Sequence, residues 1–383
     1  MTEPAEFVLS NARIILADEI LQQGWIAVSH GRILAVGEGA APEKGLDMRG
    51  DTLIPGLVEL HTDHLEAHFA PRPGVYWNPV SDVLAYDAQI AASGITTVFD
   101  SLRVGQDSRK DGFSAHAEQL GDAINSTQSD GLLRAEHFTH LRCEICSPDV
   151  IEKIESYLDG RAIHLMSLND HTRGQRQFRN MDKWLEYYRG KSGMSEAQLQ
   201  DFIGQRIAYA QEFGTKHHQK LVEIARVNKI SVASHDDTTL DHVRDSIEDG
   251  ASIAEFPTTI EAVAASHAAG IRVMMGAPNV VRGGSHSGNV SAIDLAHRGT
   301  LDVLSSDYVP TSLLMAAWML PDVVPALSLP AALRMVSKTP AEAVGLTDRG
   351  EILSGKRADL ARIFVSGHHP VVRNVWTAGK RVA

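Results

Sequence analysis

Pro55–Asp63 reads PGLVELHTD, a turn-forming Pro-Gly followed by an apolar run that ends in two potential metal ligands. His61 and Asp63 are two positions apart, and while a strand persists such residues point to one side. Ligands at a strand end suit a barrel of parallel strands, in which all strand ends converge on the face that carries active sites. Seven more β-type runs follow: TTVFDSL (96–102), HFTHLRCEI (137–145), AIHLMSLND (162–170), ISVASHD (230–236), SIAEFPTT (252–259), IRVMMGAPN (271–279) and LDVLSSD (301–307). Helical stretches separate them, the alternation expected of parallel βα units. With LVELH (57–61) the total is eight, the barrel number. One helix start is well marked, since Ser195 with Gln198 forms a capping-box pattern ahead of a long helical stretch.

The two ends of the chain have another character. FVLSNARIIL (7–16), GWIAVSHGRILAVG (24–37) and GLDMRGDTLI (45–54) are short β segments punctuated by glycine and polar turns. After TPAEAVGLTDRG (339–350), the runs EILSGKRADLARIFV (351–365) and VVRNVWTAGKRVA (371–383) repeat that pattern. The expected fold is therefore α/β, with a TIM-like (β/α)8 barrel over 54–349. A small β-sandwich domain is expected from both termini, 1–53 together with 350–383. The 383 residues suffice for both units, and no internal repeat or low-complexity tract interrupts them.

Hydrophobic residues make up 43% and charged residues 22%, ordinary globular usage. A formal charge of −12 argues against general affinity for nucleic acid or an anionic membrane surface, so an anionic substrate has to be met by local arginines. No apolar run reaches membrane-span length, and the opening MTEPAEFVLSNARII lacks the basic flank and apolar stretch of a signal peptide. A cytoplasmic location is expected. Cys143 and Cys146 form a C-x-x-C that invites a redox or half-zinc reading, but strand alternation sends residues three apart to opposite faces, and packing cysteines are expected. His217 and His218, in a helical stretch away from any strand end, are expected to be exposed. Tyr76 and Trp77 are expected to pack in the core, with stacking on a base or sugar as the alternative.

The strand candidates end in His61 and Asp63, then Glu144, His171, His235 and Asp307. Imidazole and carboxylate ligands suit divalent zinc first, with manganese or iron as alternatives, and a carboxylate such as Glu144 can bridge two ions. A bridged pair makes hydroxide available near neutral pH. PGLVELHTD after an N-terminal β segment, SSD at 305–307 and the tail GEILSGKRADLARIFV (350–365) together resemble the amidohydrolase superfamily. The resemblance implies one or two metal ions held by two strand-one residues, a Glu or carboxylated Lys, two histidines and a catalytic aspartate. His61, Asp63, Glu144, His171, His235 and Asp307 match in that order. The second strand-one ligand is commonly histidine; here it is Asp63 followed by His64, and alternation favours Asp63. Glu144 falls on the third strand candidate, one earlier than is usual for the superfamily, which a missed strand or an extra late one would explain.

PGLVELHTDHLEAHFAPRPGVYW, ASGITTVFDS, HLRCEI, LMSLNDHTRGQRQF, ASHDDTT, EFPTT and GAPNVVRGGSHSGN resemble a narrower group, the phosphonate-utilisation branch of that superfamily. Its pattern includes the strand-one aspartate. The resemblance implies a diphosphatase that releases pyrophosphate from α-D-ribose 1-methylphosphonate 5-triphosphate. Arginine's planar fork is the side chain best matched to phosphate oxygens, and the motif segments supply Arg72, Arg142, Arg173, Arg176, Arg179 and Arg282. Solvated or salt-bridged surface arginines are the competing reading for about half of them. Ser285 and His286, in the glycine-rich stretch RGGSHSGN (282–289), are candidate phosphate contacts; that stretch matches no Walker pattern and equally suits an ordinary surface loop.

The expected mechanism has His61, Asp63, Glu144, His171 and His235 holding one or two divalent ions that generate hydroxide for in-line attack on phosphorus. Asp307 handles the proton, and arginines neutralise charge on the transferring phosphoryl group and the departing pyrophosphate. A C–N hydrolase of cyclic-amidase or deaminase type is the enzymatic alternative, because the same metal site polarises carbonyls. A binding component that has lost turnover is the non-enzymatic one. The expected partner is a small phosphorylated molecule, with neither nucleic acid nor membrane, and the sequence leaves a homo-oligomer open.

Overall fold

A computed structural model of the chain describes residues 6–72, 74–105, 113–172, 196–285 and 288–383. The N-terminal strands are β1 (Phe7–Ile15), β2 (Ile20–Ser29), β3 (Arg32–Glu38), β4 (Leu46–Asp47) and β5 (Thr52–Pro55). The next strands are β6 (Leu57–Thr62), β7 (Ile95–Val104), β8 (Glu136–Glu144), β9 (Leu165–Asn169), β10 (Ser231–His235), β11 (Ile253–Glu255), β12 (Arg272–Gly276) and β13 (Val303–Ser305). The chain ends with β14 (Leu360–Ser366), β15 (His369–Thr377) and β16 (Lys380–Arg381). Strands β6 to β13 lie side by side in chain order, all parallel, and coincide with the eight runs read from the sequence. Glu144 thus closes the third barrel strand, and neither a missed strand nor an extra late one is needed to explain its place.

Why these runs are so apolar follows from their place. Parallel barrel strands are covered by helices outside and filled by side chains inside, so nearly every position is buried. All six residues of β6 and all five of β9 are buried. Val58, Phe99, Leu165, Ala233, Ile253, Met274 and Val303 form one apolar cluster with the partly buried Phe138 against it, one residue from each barrel strand, as filling a lumen requires.

The closing seam between the first and eighth strands is thin. Its ladder is a single parallel bridge, Thr62 to Asp307, with Asp307 N donating to His61 O and Asp63 N to Asp307 O, both at 3.1 Å. The buried carboxylate of Glu59 reinforces it by accepting from His61 N at 2.7 Å and from Ser306 N at 2.6 Å. Burial raises this carboxyl to about 7, against the pull of those donors.

The two ends of the chain meet in one sheet. β5 pairs antiparallel with β14 and parallel with β1, giving the order β16-β15-β14-β5-β1-β2-β3, with β4 also on β1. Leu9, Ile14, Ile26, Leu53, Leu360 and Trp376 share its core, and Arg362 Nε donates to Asp51 Oδ2 at 2.6 Å across the N- and C-terminal parts.

Cys143 and Cys146 are free and buried, and burial pushes the Cys146 thiol up to about 12, as packing residues behave. His217 is 7% exposed, with Nδ1 at 3.2 Å from Ile145 O, because the long helix Glu196–Asn228 lays that face on the barrel; the expected exposure is corrected. Tyr76 packs on Phe69 and His116, whereas Trp77 is 61% exposed and outside the core, contrary to the packing expectation. Among the described residues no helix is long and apolar enough to cross a membrane.

Candidate metal centre

At the C-terminal ends of the barrel strands three imidazoles draw together. The rings of His61 (β6) and His235 (β10) stack with centroids 6.0 Å apart, and His171, just past β9, lies edge-on to His235 at 5.6 Å. Phe256 packs edge-on against both His61 and His235, at 5.0 and 5.7 Å. Burial, helped by the Arg142 guanidinium, pushes His61 well below its ordinary pKa; at His235 burial outweighs the hydrogen bond to Glu255 and lowers it to about 3. Both rings are therefore neutral, the form that binds metal.

The two Nδ1 atoms are held by a single carboxylate that the sequence reading passed over. Glu255, the last residue of β11 and fully buried, lies with Oε1 3.1 Å from His61 Nδ1 and Oε2 3.0 Å from His235 Nδ1. His140, four residues before Glu144 on β8, is also fully buried; its Nδ1 is 2.9 Å from Leu60 O and its Nε2 3.0 Å from Ser167 Oγ. Burial holds it down at about 4.

The carboxylates divide by environment. Glu144 Oε1 contacts His171 Nδ1, and Oε2 accepts from Arg206 Nη1 at 2.9 Å. Burial favours the neutral acid there, but His171 and then Arg206 outweigh it and hold the carboxyl at about 2. Gly105, just past β7 with φ 109°, leaves room for this side chain, since a Cβ at that position would stand 2.9 Å from Glu144 Cβ. Asp63 Oδ2 accepts from Arg103 Nη2 at 3.2 Å and from Arg142 Nη1 at 3.4 Å, and against its burial these guanidiniums lower its pKa. Asp307 goes the other way: burial, then the Asp63 and Asp236 carboxylates, lift it to about 7. Asp236, Phe256 and Asp307, each just past a strand, have φ of 57°, 52° and 56°, a left-handed backbone disfavoured for residues with a Cβ.

Contacts thus link all six residues proposed as ligands at one mouth. His64 turns aside, with Nδ1 3.1 Å from Tyr308 O and Nε2 3.1 Å from Gln89 Oε1. Of the arginines, Arg142 lies beside Asp63 in the site, Arg72 is exposed next to the bridge it makes with Val75, and Arg282 is exposed at the end of the helix Ala277–Arg282. Ser285 Oγ accepts from Asn289 N at 3.2 Å. Arg173, Arg176, Arg179 and His286 lie outside the described residues, as does the capping Ser195.

The amidohydrolase family profile matches residues 204–382. Over 379 residues, 98% of this chain and 100% of the relative, the sequence is 44% identical to alpha-D-ribose 1-methylphosphonate 5-triphosphate diphosphatase of Escherichia coli (strain K12). The chain belongs to the amidohydrolase family. In fold, this amidohydrolase is similar to N-acetyl-D-glucosamine-6-phosphate deacetylase from Mycobacterium smegmatis, with TM-score 0.64 and 17% identity over 98% of this chain and 100% of that one. It is also similar to 5-methylcytosine deaminase from Klebsiella pneumoniae liganded with phosphonocytosine, with TM-score 0.65 and 13% identity over 98% of each chain.

Amidohydrolases generally depend on divalent metal, and the donors of this amidohydrolase fit such an ion. His171, His235 and Asp236 each offer a ligand atom within 4.8 Å of the others, and so do His61, His140 and Glu255. Neutral imidazoles beside ionised carboxylates are the ligand chemistry of zinc and its neighbours. Sequence reasoning missed Glu255, Asp236, His140, Arg103 and Arg206. A signal existed for Glu255, because an acid inside the apolar run SIAEF has to find a partner once buried. None existed for Arg206, whose helix reaches the mouth only through the tertiary fold.

Proposed function

We propose that this amidohydrolase cleaves pyrophosphate from α-D-ribose 1-methylphosphonate 5-triphosphate. The observation that carries the reading is the end-to-end 44% identity to the diphosphatase of Escherichia coli. In support, three guanidiniums reach the carboxylates of the mouth: Arg103 and Arg142 at Asp63, and Arg206 at Glu144. They supply local positive charge to a chain whose net charge is −12.

In this reading His61, His171 and His235, with Asp63, Glu144 and Asp307, hold one or two divalent ions, zinc first. When bound, such an ion acts as a Lewis acid and makes water acidic near neutral pH. Asp307, lifted to about 7, takes the proton from the attacking water on a carboxylate oxygen. Arg142, joined by Arg103 and Arg206, orients the phosphate oxygens and offsets the charge that collects on the departing pyrophosphate. Arg72, Arg173, Arg176, Arg282, Ser285 and His286 belong to the same proposal as outer contacts to the substrate. A ribosyl triphosphate does not cross a bilayer unaided, so the reading carries a cytoplasmic location with it. The division into a composite unit, 1–53 with 350–383, and a hydrolase unit, 54–349, is part of the same proposal.

Phosphorus NMR of the metal-loaded protein with this triphosphate, beside a panel of cyclic amides, tests the proposal. Pyrophosphate should appear stoichiometrically with loss of triphosphate. Turnover of an amide with the triphosphate untouched would overturn it.

A further inference from the structure

Glu255 stands between two strands that never touch each other in the ladder, β6 and β10, and each of its oxygens meets one imidazole. An ionised carboxylate accepts and does not donate, so both contacts require the proton on Nδ1 of the ring. With Nδ1 protonated in a neutral imidazole, the lone pair lies on Nε2. Glu255 is 0% exposed, and among the described residues its titratable contacts are the imidazoles of His61, His140 and His235, with His140 Nε2 at 3.6 Å.

We infer that Glu255 is a shared positioning residue, which fixes the tautomer and orientation of His61 and His235 together so that both present Nε2 to the metal. This rests on the reading that the mouth holds a divalent ion. Outer carboxylates of this kind orient metal-binding histidines elsewhere. Here one serves two, so removing its charge disturbs both ligands at once. Glu255→Gln keeps the shape but replaces one acceptor oxygen with a donor amide, and one ring must then turn its lone pair to Nδ1.

Zinc affinity, measured by competition with a chromophoric chelator, should fall about 10–100-fold in Glu255→Gln. Stoichiometry at saturating zinc, and the visible spectrum of the cobalt-loaded protein, should match wild type. Unchanged affinity would overturn the inference, and so would a changed cobalt spectrum at saturation, which would make Glu255 a ligand. Nitrogen-15 NMR of histidine-labelled, metal-free wild type, with assignments from His61→Asn and His235→Asn, decides the matter even if the variant fails to fold. Both rings should be Nδ1–H tautomers, and either ring protonated on Nε2 would refute the assignment. A wild type with those tautomers that binds no divalent ion would instead refute the metal reading, leaving the tautomer assignment in place.

Discussion

At the start of β8, Glu136 accepts from Arg349 at 2.7 Å and contacts Arg357, and His137 lies between Asp100 Oδ2 at 2.8 Å and Asp87 Oδ1 at 3.4 Å. At its finish, Arg142 and Glu144 face the imidazoles of the mouth. The same residue types are treated in opposite ways. Burial opposes charge on His137, but Asp100 and Asp87 outweigh it and raise it to about 9, whereas His235 sits at about 3. At one end a buried histidine carries its charge between two carboxylates, while at the other the buried histidines are neutral and the Asp307 carboxyl lies near 7. In this fold, polar groups at the strand starts serve stability and those at the strand ends serve chemistry.

Mutation can break that contrast. Asp307→Asn keeps the shape and one acceptor but cannot take a proton, so turnover of the triphosphate should fall about a thousandfold. Metal content and melting temperature should stay near wild type; near-normal turnover would remove Asp307 from the proton path. His137→Ala should do the reverse, taking the imidazolium from the buried carboxylate of Asp100 while Asp87 keeps Arg134, at a cost of about 3–5 kcal/mol in denaturant unfolding. The folded fraction should keep its kcat, and a catalytic defect at full stability would erase the distinction between the two ends.

Titration offers a third check. His137 is raised above its unfolded value, so its contribution is complete below about 6.5 and is lost as pH climbs through about 9, on the order of 3 kcal/mol in all. Asp87 is lowered, chiefly by His137 acting against burial, so its share is complete above 3.8 and is lost as pH drops through the depressed value. Unfolding followed from pH 6 to 10 should show a loss in wild type that His137→Ala lacks. The smallest effect is expected at Trp77, whose replacement by alanine should change stability by no more than about 0.5 kcal/mol, because the ring is 61% exposed.

How much of this was readable beforehand depended on locality. The eight strands could be read because apolar runs bounded by helical stretches report their own burial, and their last residues therefore named the mouth. Glu255 was hidden because four residues follow it in its motif SIAEFPTT, whereas the ligands read from the sequence stand within two residues of the end of a run. Arg103 extends the run TTVFDSL by one residue, and its meeting with Asp63 across two strands depends on how the barrel places their ends. His217 was misjudged because helical position alone does not tell which face the barrel covers. The composite sheet was legible at both ends, although no local signal reveals that β5 is the strand joining them.

Asp236, Phe256 and Asp307 hold left-handed backbone at the rim, and such conformations cost about 1–3 kcal/mol each in residues with a Cβ. A laboratory selection for heat resistance that did not also demand turnover would drift toward glycine at Asp236 and Asp307, since glycine enters that region freely, whereas the ring of Phe256 packs on the lumen core and holds its place. It would end with a sturdier barrel whose mouth had lost two carboxylates. A sturdier variant that keeps its turnover would therefore leave these two positions alone.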